Sequence, residues 1–319
     1  MRVAYFNGQF VPENQARVSI YDSGVLAGDM AYEVTRTIHQ RPFRLREHLE
    51  RLRESLALLA IDPGMSTDEL ERVTLKTLAR NLPTEAPDVD WQIIHNLSRG
   101  PGSGFQAAFS AEERRPTIVI SCFPLTHRLA RLADKYETGV DVIIPPQRSL
   151  PAQWLPVHLK ARGRIHFQLA NLQAEALAPS AWPVLIDPDG NVTEGTSFNV
   201  FAVAKDTLLT APAEDVLVGV TRTVVLALAR SLGLRVREAK LPLAALLAAD
   251  ELFATSTSIG ILHARSVVDA SDGQPAPTLP IGSGNLGPIT ARLRLALHAE
   301  LGLDFAAQAK HYQLLVSLG

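Results

Sequence analysis

Three groups of residues along this chain have the types and order to do chemistry together. Lys160 lies in Leu155-Pro-Val-His-Leu-Lys160-Ala-Arg-Gly-Arg-Ile-His-Phe167, where an apolar, strand-like run gives way to a helical one. It is one of six lysines in a chain with twenty-five arginines. Further on, Val192-Thr-Glu194-Gly-Thr-Ser-Phe-Asn199 carries a carboxylate on a second apolar segment. Gly219-Val-Thr221-Arg222 and Ala254-Thr-Ser-Thr257 then supply backbone N–H groups and hydroxyls. An amine, a carboxylate and an anion-binding turn are the parts that pyridoxal phosphate chemistry requires.

In that chemistry a lysine holds the cofactor as a Schiff base and later shuttles a proton. Its amine must therefore be held unprotonated, which burial beside Val157 and Leu159 would favour. Taken alone, Lys160 reads as an exposed lysine at a strand end. A carboxylate on a pyridine nitrogen keeps that nitrogen protonated, a role open to Glu194; by itself Glu194 reads as a solvated hairpin residue. Gly219-Val220-Thr221 precedes a helix, whose unpaired N–H groups suit a phosphate. Thr221 serves equally as a plain N-cap. Thr257 belongs to a hydroxyl cluster after the apolar Leu252-Phe-Ala, otherwise an ordinary strand end. Arg51 flanks the stripe Leu49/Leu52/Leu56 beside His48 and Ser55. A fixed guanidinium there would grip a phosphate bidentately, the alternative being a solvated helix arginine.

Other motifs fail. The Asp187/Asp189/Asn191 cluster has its glycine at the fourth position, unlike an EF-hand loop. Gly100-Pro-Gly-Ser-Gly104 lacks the spacing of a dinucleotide fingerprint. No metal site is expected.

The elements that must position these groups follow from periodicity and turn signals. Asn7-Gly8 marks a hairpin over Tyr5–Phe10. Ala31–Ile38 and Phe43–Leu45 read as a strand pair. Leu45, Leu49, Leu52, Leu56 and Leu59 recur with helical spacing. Met65-Ser-Thr-Asp-Glu-Leu opens another helix with Ser66 or Thr67 as N-cap. Trp91–Leu97 and Pro116–Phe123 are β-rich, and polar, basic Pro124–Thr138 reads as a linker. A helix to about Leu177 follows Lys160. Pro188-Asp-Gly190 turns a hairpin, Asn199–Ala204 and Thr207–Leu209 are strands, and Thr223–Leu232 is a helix ended by Gly233.

With 319 residues, the chain exceeds one ordinary domain and suits two. The net charge of −2 gives no general attraction for nucleic acid or anionic membranes. Cys122 is the only cysteine, so intrachain disulfides and Cys metal clusters are excluded, and its apolar surroundings predict a buried structural thiol. Met1-Arg-Val-Ala-Tyr-Phe has no signal-peptide core, and no run is long enough to span a membrane; a cytoplasmic location is expected.

Together these segments resemble the class IV aminotransferases, in order along almost the whole chain. The resemblance runs through Phe6-Asn-Gly, Asp22-Ser-Gly, Gly28-Asp, Tyr32-Glu33 and His48-Leu-Glu-Arg51-Leu. It continues through Lys160, Glu194-Gly, Asn199-Val-Phe, Gly219-Val-Thr-Arg222, Asp250-Glu-Leu-Phe-Ala-Thr-Ser-Thr257 and Gly287-Pro-Ile-Thr290. It implies an α/β (α+β) protein of pyridoxal phosphate fold-type IV. A small N-terminal α/β domain (1–124), an interdomain loop (125–136) and a larger C-terminal pseudo-barrel domain (137–319) are expected. By the same resemblance, Lys160 forms the internal aldimine and Glu194 partners the pyridine nitrogen. Arg51, Thr257 and the N–H groups of Val220 and Thr221 hold the phosphate, and Leu217 packs on the ring. A homodimer acting on an amine donor and a keto-acid acceptor is implied.

The chain departs from the pattern where substrates are chosen. Ile165 stands where branched-chain enzymes have a tyrosine, and Gly104 where D-amino acid transaminases have a second arginine after the one matched by Arg99. Tyr32 and Val34 are D-amino-acid-like, with Arg36 replacing a lysine. Tyr32, Arg36 and Arg99 are therefore candidate substrate residues, Arg36 reading equally as a structural strand arginine. Two alternatives share the sequence features: a lyase of the aminodeoxychorismate type with the same cofactor, and a non-catalytic binding protein.

Overall fold

The computed structural model describes residues 1–318. It comprises two compact units: Met1–Leu125 with His158–Gly163, and Thr126–Val157 with the chain from Arg164 onward.

In the first unit, strands β1 (Val3–Phe6), β2 (Gln9–Pro12), β3 (Met30–Ile38), β4 (Arg41–Pro42), β5 (Trp91–Ser98) and β6 (Thr117–Pro124) form one sheet ordered β2-β1-β6-β5-β3-β4. All its pairings are antiparallel. Phe6 faces Gln9 across a two-residue turn in which Asn7 and Gly8 both have positive φ, as the Asn-Gly pair predicts. Short α1 (Ser23–Ala27) precedes β3, while α2 (Leu45–Leu58) and α3 (Thr67–Asn81) carry the helical stripes. Leu49, Leu52 and Leu56 of α2 pack into one core with Trp91, Ile93, Leu97 and Ile120 of the sheet. Each such leucine stabilises the fold by roughly 1.5–3 kcal/mol when fully buried. Of the two N-cap candidates of helix α3, Ser66 is the one used, in a capping box: Glu69 N–H donates to Ser66 Oγ, and the Glu69 carboxylate accepts from Ser66 N–H. Cys122 is buried, and desolvation pushes its thiol up to about 12.

Two expectations shift here. The partner of β3 is Arg41–Pro42 rather than Phe43–Leu45, because His39 and Gln40 take positive φ and turn the chain in two residues. The Lys160 segment is not a strand: one isolated bridge, Ala31 to Ala161, is all the ladder it makes. Pro151 and Pro156 cannot donate to a ladder. Its bonds to β3 also group His158–Gly163 with the first unit, although sequence placed Lys160 in the C-terminal domain.

The second unit opens with α4 (Thr126–Ala130) and α5 (Lys135–Thr138), where a loop was expected. Leu129, Ala130, Ala133 and Tyr136 are buried there, α4 packs on the last helix, and the Tyr136 hydroxyl donates to Ile259 O at 2.9 Å. Hydrophobic residues inside a polar stretch thus made it structure. Next come β7 (Val140–Ile144), α6 (Ile165–Leu177), β8 (Trp182–Ile186), β9 (Asn191–Gly195), β10 (Asn199–Ala204), β11 (Thr207–Thr210), α7 (Val220–Ser231), β12 (Arg235–Glu238), β13 (Leu241–Pro242) and α8 (Leu243–Leu247). The unit finishes with β14 (Glu251–Ser256), β15 (Gly260–Asp269), β16 (Thr278–Pro280), α9 (Pro288–Leu301) and α10 (Phe305–Leu318).

Its ten strands run β12-β11-β10-β14-β15-β7-β8-β9-β13, with β16 on β15. An additional pairing of β9 with β10 closes β10-β14-β15-β7-β8-β9 into a ring. This is the barrel-like architecture that the resemblance implied. The closing register position pairs Glu194 with Asn199.

Candidate active site

Lys160 sits where two sets of backbone bonds hold the chain still. Its own N–H donates to Ser55 Oγ of α2 at 3.0 Å, and its carbonyl accepts from Tyr32 N–H of β3 at 3.0 Å. Two residues on, Arg162 N–H donates to Met30 O at 2.9 Å. The half-buried side chain carries its Nζ over the Tyr32 ring, 4.7 Å from the centroid. The Arg162 guanidinium also lies over that ring, at 3.9 Å. The structure thus joins Lys160 to one predicted substrate residue, Tyr32, and adds Arg162, which sequence reading missed.

Strand alternation turns Glu33 the other way, into the protein. Its fully buried carboxylate accepts Arg51 Nε at 2.8 Å and Nη2 at 2.7 Å, and lies 3.1 Å from His48 Nδ1. Burial alone would raise the Glu33 carboxyl, but Arg51 and His48 together hold it well below its ordinary value. Arg51 is therefore anchored rather than solvated.

The other two arginines have structural work. Arg36 is 1% exposed, with Nη2 3.5 Å from Asp90 Oδ2 and Nε donating to Thr37 O. Of its two readings, the structural one fits this geometry. Arg99 clasps Asp29, Nε to Oδ2 at 2.7 Å, and donates to the carbonyls of Leu59 and Ala60 at the end of α2. It ties a loop to a helix terminus.

The second unit holds the remaining candidates. Glu194 is half-buried, 4.0 Å from Arg164 Nη1, and lines a small cavity with Thr193, His166 and Asp215. Burial, and then the neighbouring Arg164, push His166 down to about 4, so that ring is neutral at pH 7. Leu217 is buried in the loop leading to α7, and Asn199 Nδ2 donates to its carbonyl at 2.9 Å. Thr257 is half-buried in the turn joining β14 to β15.

Helix α7 begins differently from expectation. Its N-cap is Gly219, with no side-chain cap, and Thr221 is the second helical residue rather than the cap. Gly219 is required there: a Cβ would lie 2.2 Å from Asn199 Oδ1. Helix α9 also starts after an uncapped glycine, Gly287, but the Glu251 carboxylate seals it by accepting from Ile289 and Thr290 N–H at 2.9 and 2.7 Å. The N–H groups of Val220 and Thr221 meet no protein acceptor among the described residues, although both residues are buried. A buried, open helix N-terminus is a ready-made anion site. Arg222, also in the motif, is a strut: Nη2 donates to Ala211 O and Glu238.

Taken unit by unit, the chemistry suits pyridoxal phosphate: the second unit offers an open helix end and a half-buried carboxylate, and the first an amine on an anchored main chain. The class IV amino-transferase model matches residues 30–267. The chain belongs to the class IV aminotransferases. It is a pyridoxal phosphate-dependent aminotransferase of the fold-type IV architecture. A protein of Methanocaldococcus jannaschii assigned as a branched-chain-amino-acid aminotransferase is 33% identical over 91% of this chain and 93% of its own. The D-alanine aminotransferase of Bacillus licheniformis is 29% identical over 92% and 94%. The crystal structure of the Escherichia coli branched-chain amino acid aminotransferase superposes with a TM-score of 0.78, at 28% identity, over 95% and 94%. These matches favour transamination over the lyase and non-catalytic readings. Among the described residues, no helix of this aminotransferase is long and apolar enough to cross a membrane.

Proposed function

We propose that Lys160 is the catalytic residue of this aminotransferase and that an amino acid and a 2-keto acid are its substrates. The observation that carries the cofactor assignment is the open, buried start of α7 at Val220 and Thr221, beside a sealed α9. Pyridoxal phosphate, when bound, supplies an electron sink for the charge left when a substrate α-proton departs. Lys160 Nζ would hold the cofactor and, once free, would carry that proton. Ser55 and Tyr32 fix the Lys160 main chain, so only the side chain moves. Glu194 keeps the ring nitrogen protonated. Arg51, Thr257 and the N–H groups of Val220 and Thr221 bind the phosphate, while Leu217 packs against the ring.

The named relatives support either a branched-chain amino acid or D-alanine as donor. Tyr32 serves as a wall of the substrate site. A homodimer in the cytoplasm accords with the family resemblance. Replacement by Lys160→Ala tests the central assignment. The variant should lose the visible absorption band of the lysine-bound cofactor and all transfer from a panel of L- and D-amino acids to pyruvate. Turnover that survives the replacement would refute it.

A further inference from the structure

Arg162 belongs to the same unit as Lys160 and has no role in the assignments above. It lies two residues beyond the lysine, and the bridge of Ala161 to Ala31 holds the stretch between them against β3. As in a strand, the side chains on either side of the bridged residue leave the chain on one side. Both reach the same ring: Lys160 Nζ lies 4.7 Å and the Arg162 guanidinium 3.9 Å from the Tyr32 centroid.

Three contacts fix this arginine. Its main-chain N–H donates to Met30 O at 2.9 Å, and its Nε donates to Asn96 Oδ1 at 2.9 Å. The guanidinium rests on Tyr32 in a cation–π contact. Asn96 of β5 faces Tyr32 of β3 in the ladder, so both partners stand side by side on one face of the sheet. Everything that holds Arg162 is neutral. Arg36, Arg51 and Arg99 of this unit each have a carboxylate, from Asp90, Glu33 and Asp29. Among the described residues Arg162 has none, and its two Nη groups donate to no protein acceptor. Glu33, although next to Tyr32 in sequence, turns its acid to the other face and into Arg51. Solvent reaches the Arg162 side chain, so a small anion can as well. A guanidinium fixed through Nε and an aromatic face presents its Nη edge as a ready fork for a carboxylate. Ordering it before binding spares entropy.

We propose that the Nη edge of Arg162 binds the α-carboxylate of the amino-acid donor while the donor's amino group stands at the place of Lys160 Nζ, with Tyr32 beneath both. One carbon separates amine and carboxylate in an α-amino acid, and the two cations share one ring. Arg162 therefore selects α-amino acids over primary amines that lack the acid group. The proposal rests on the assignment of Lys160 as the reacting amine and adds the residue that reads the donor's carboxylate.

The test compares wild-type holoenzyme with Arg162→Gln and Arg162→Lys. Donors are both enantiomers of alanine and leucine, set against ethylamine and 3-methylbutylamine, the same molecules without the carboxylate. Arg162→Gln should lower the ratio of kcat/KM for amino acid to that for amine by about ten- to a hundredfold, the effect of one charged hydrogen-bond partner. Arg162→Lys, which keeps the charge but not the fork, should fall between. An equal loss with both kinds of donor would mean that Arg162 acts through Lys160 or the fold, and would overturn the proposal, as would an unchanged ratio. Calorimetry with propionate and 4-methylpentanoate, which have no amino group to transfer, reads the site without turnover. Arg162→Gln should weaken the better-bound acid about tenfold or more; equal affinity in the two proteins, or no binding of either acid by wild type, would refute the assignment. A wild type that transfers no amino group yet binds these acids through Arg162 would count against the role of Lys160 and not against this carboxylate site.

Discussion

Arg51 grips Glu33 through two parallel hydrogen bonds of 2.8 and 2.7 Å, joining helix α2 to strand β3 inside the first unit. The carboxylate has no solvent exposure, so its charge depends on Arg51 and on His48 at 3.1 Å. This pair fixes the guanidinium assigned to the phosphate before any ligand arrives, which spares ordering entropy on binding.

Removing the acid should therefore be costly. Glu33→Ala is expected to lower unfolding free energy by about 3–5 kcal/mol, because it strands a nearly buried guanidinium. Glu33→Gln should cost less. The folded pKa of Glu33 is depressed, so its contribution is present above the ordinary value of 4.5 and disappears as pH falls through the folded value. Urea unfolding measures both effects; a loss below about 1 kcal/mol for Glu33→Ala would contradict the pair's importance.

His95 predicts a second pH dependence. Thr74 Oγ1 donates to Leu70 O at 2.6 Å, so it accepts from His95 Nε2 at 2.8 Å. His95 Nδ1 has no partner and is buried, and a proton added there would meet no acceptor. Burial chiefly pushes this histidine down to about 4. The unfolded ring takes a proton near 6.5, the folded ring only near 4. Stability should be complete above about 6.5 and fall by about 3 kcal/mol as pH drops to about 4. His166 and His263, also pushed to about 4, add to the slope. The difference between wild type and His95→Gln in urea unfolding at several pH values isolates His95, and identical slopes would count against it.

Gly219→Ala probes the phosphate turn. Its methyl group would have to displace Asn199, which holds Leu217 in place. Overpacking of this kind costs about 1–3 kcal/mol, so cofactor affinity should drop roughly tenfold. Absorbance titration of apoprotein with pyridoxal phosphate reads the change. Undiminished affinity would move the phosphate away from α7.

Glu194→Gln keeps shape and removes charge. Transamination should slow on the order of a hundredfold, with the cofactor still bound, because a neutral amide no longer holds the ring nitrogen protonated. A variant with wild-type kcat would show that Glu194 serves only its position in the strand.

Much of the scaffold was legible locally. The helical leucine spacing of α2, the start of α3 at one of its two N-cap candidates and the Asn7-Gly8 hairpin depend on residues within a few positions, and each formed locally. Errors arose where distant partners decide. Leu155–Leu159 has strand-like residues, but it contains Pro156 and joins no ladder, the nearest bridge being at Ala161. Pro124–Thr138 looked like a polar linker, yet Leu129 and Tyr136 found a core to enter.

By itself, the sequence determined the order of the chemical groups, and with it the family, the amine at 160, the acid at 194 and the glycine-led turn at 219–221. Only tertiary structure decided which charges are already spent. Glu251 fills the start of α9 while that of α7 stays open, and Glu33 takes Arg51. The physical reason is range: periodicity, capping and turn chemistry act over one or two helical turns, whereas charge pairing and burial depend on neighbours that only the folded chain brings together.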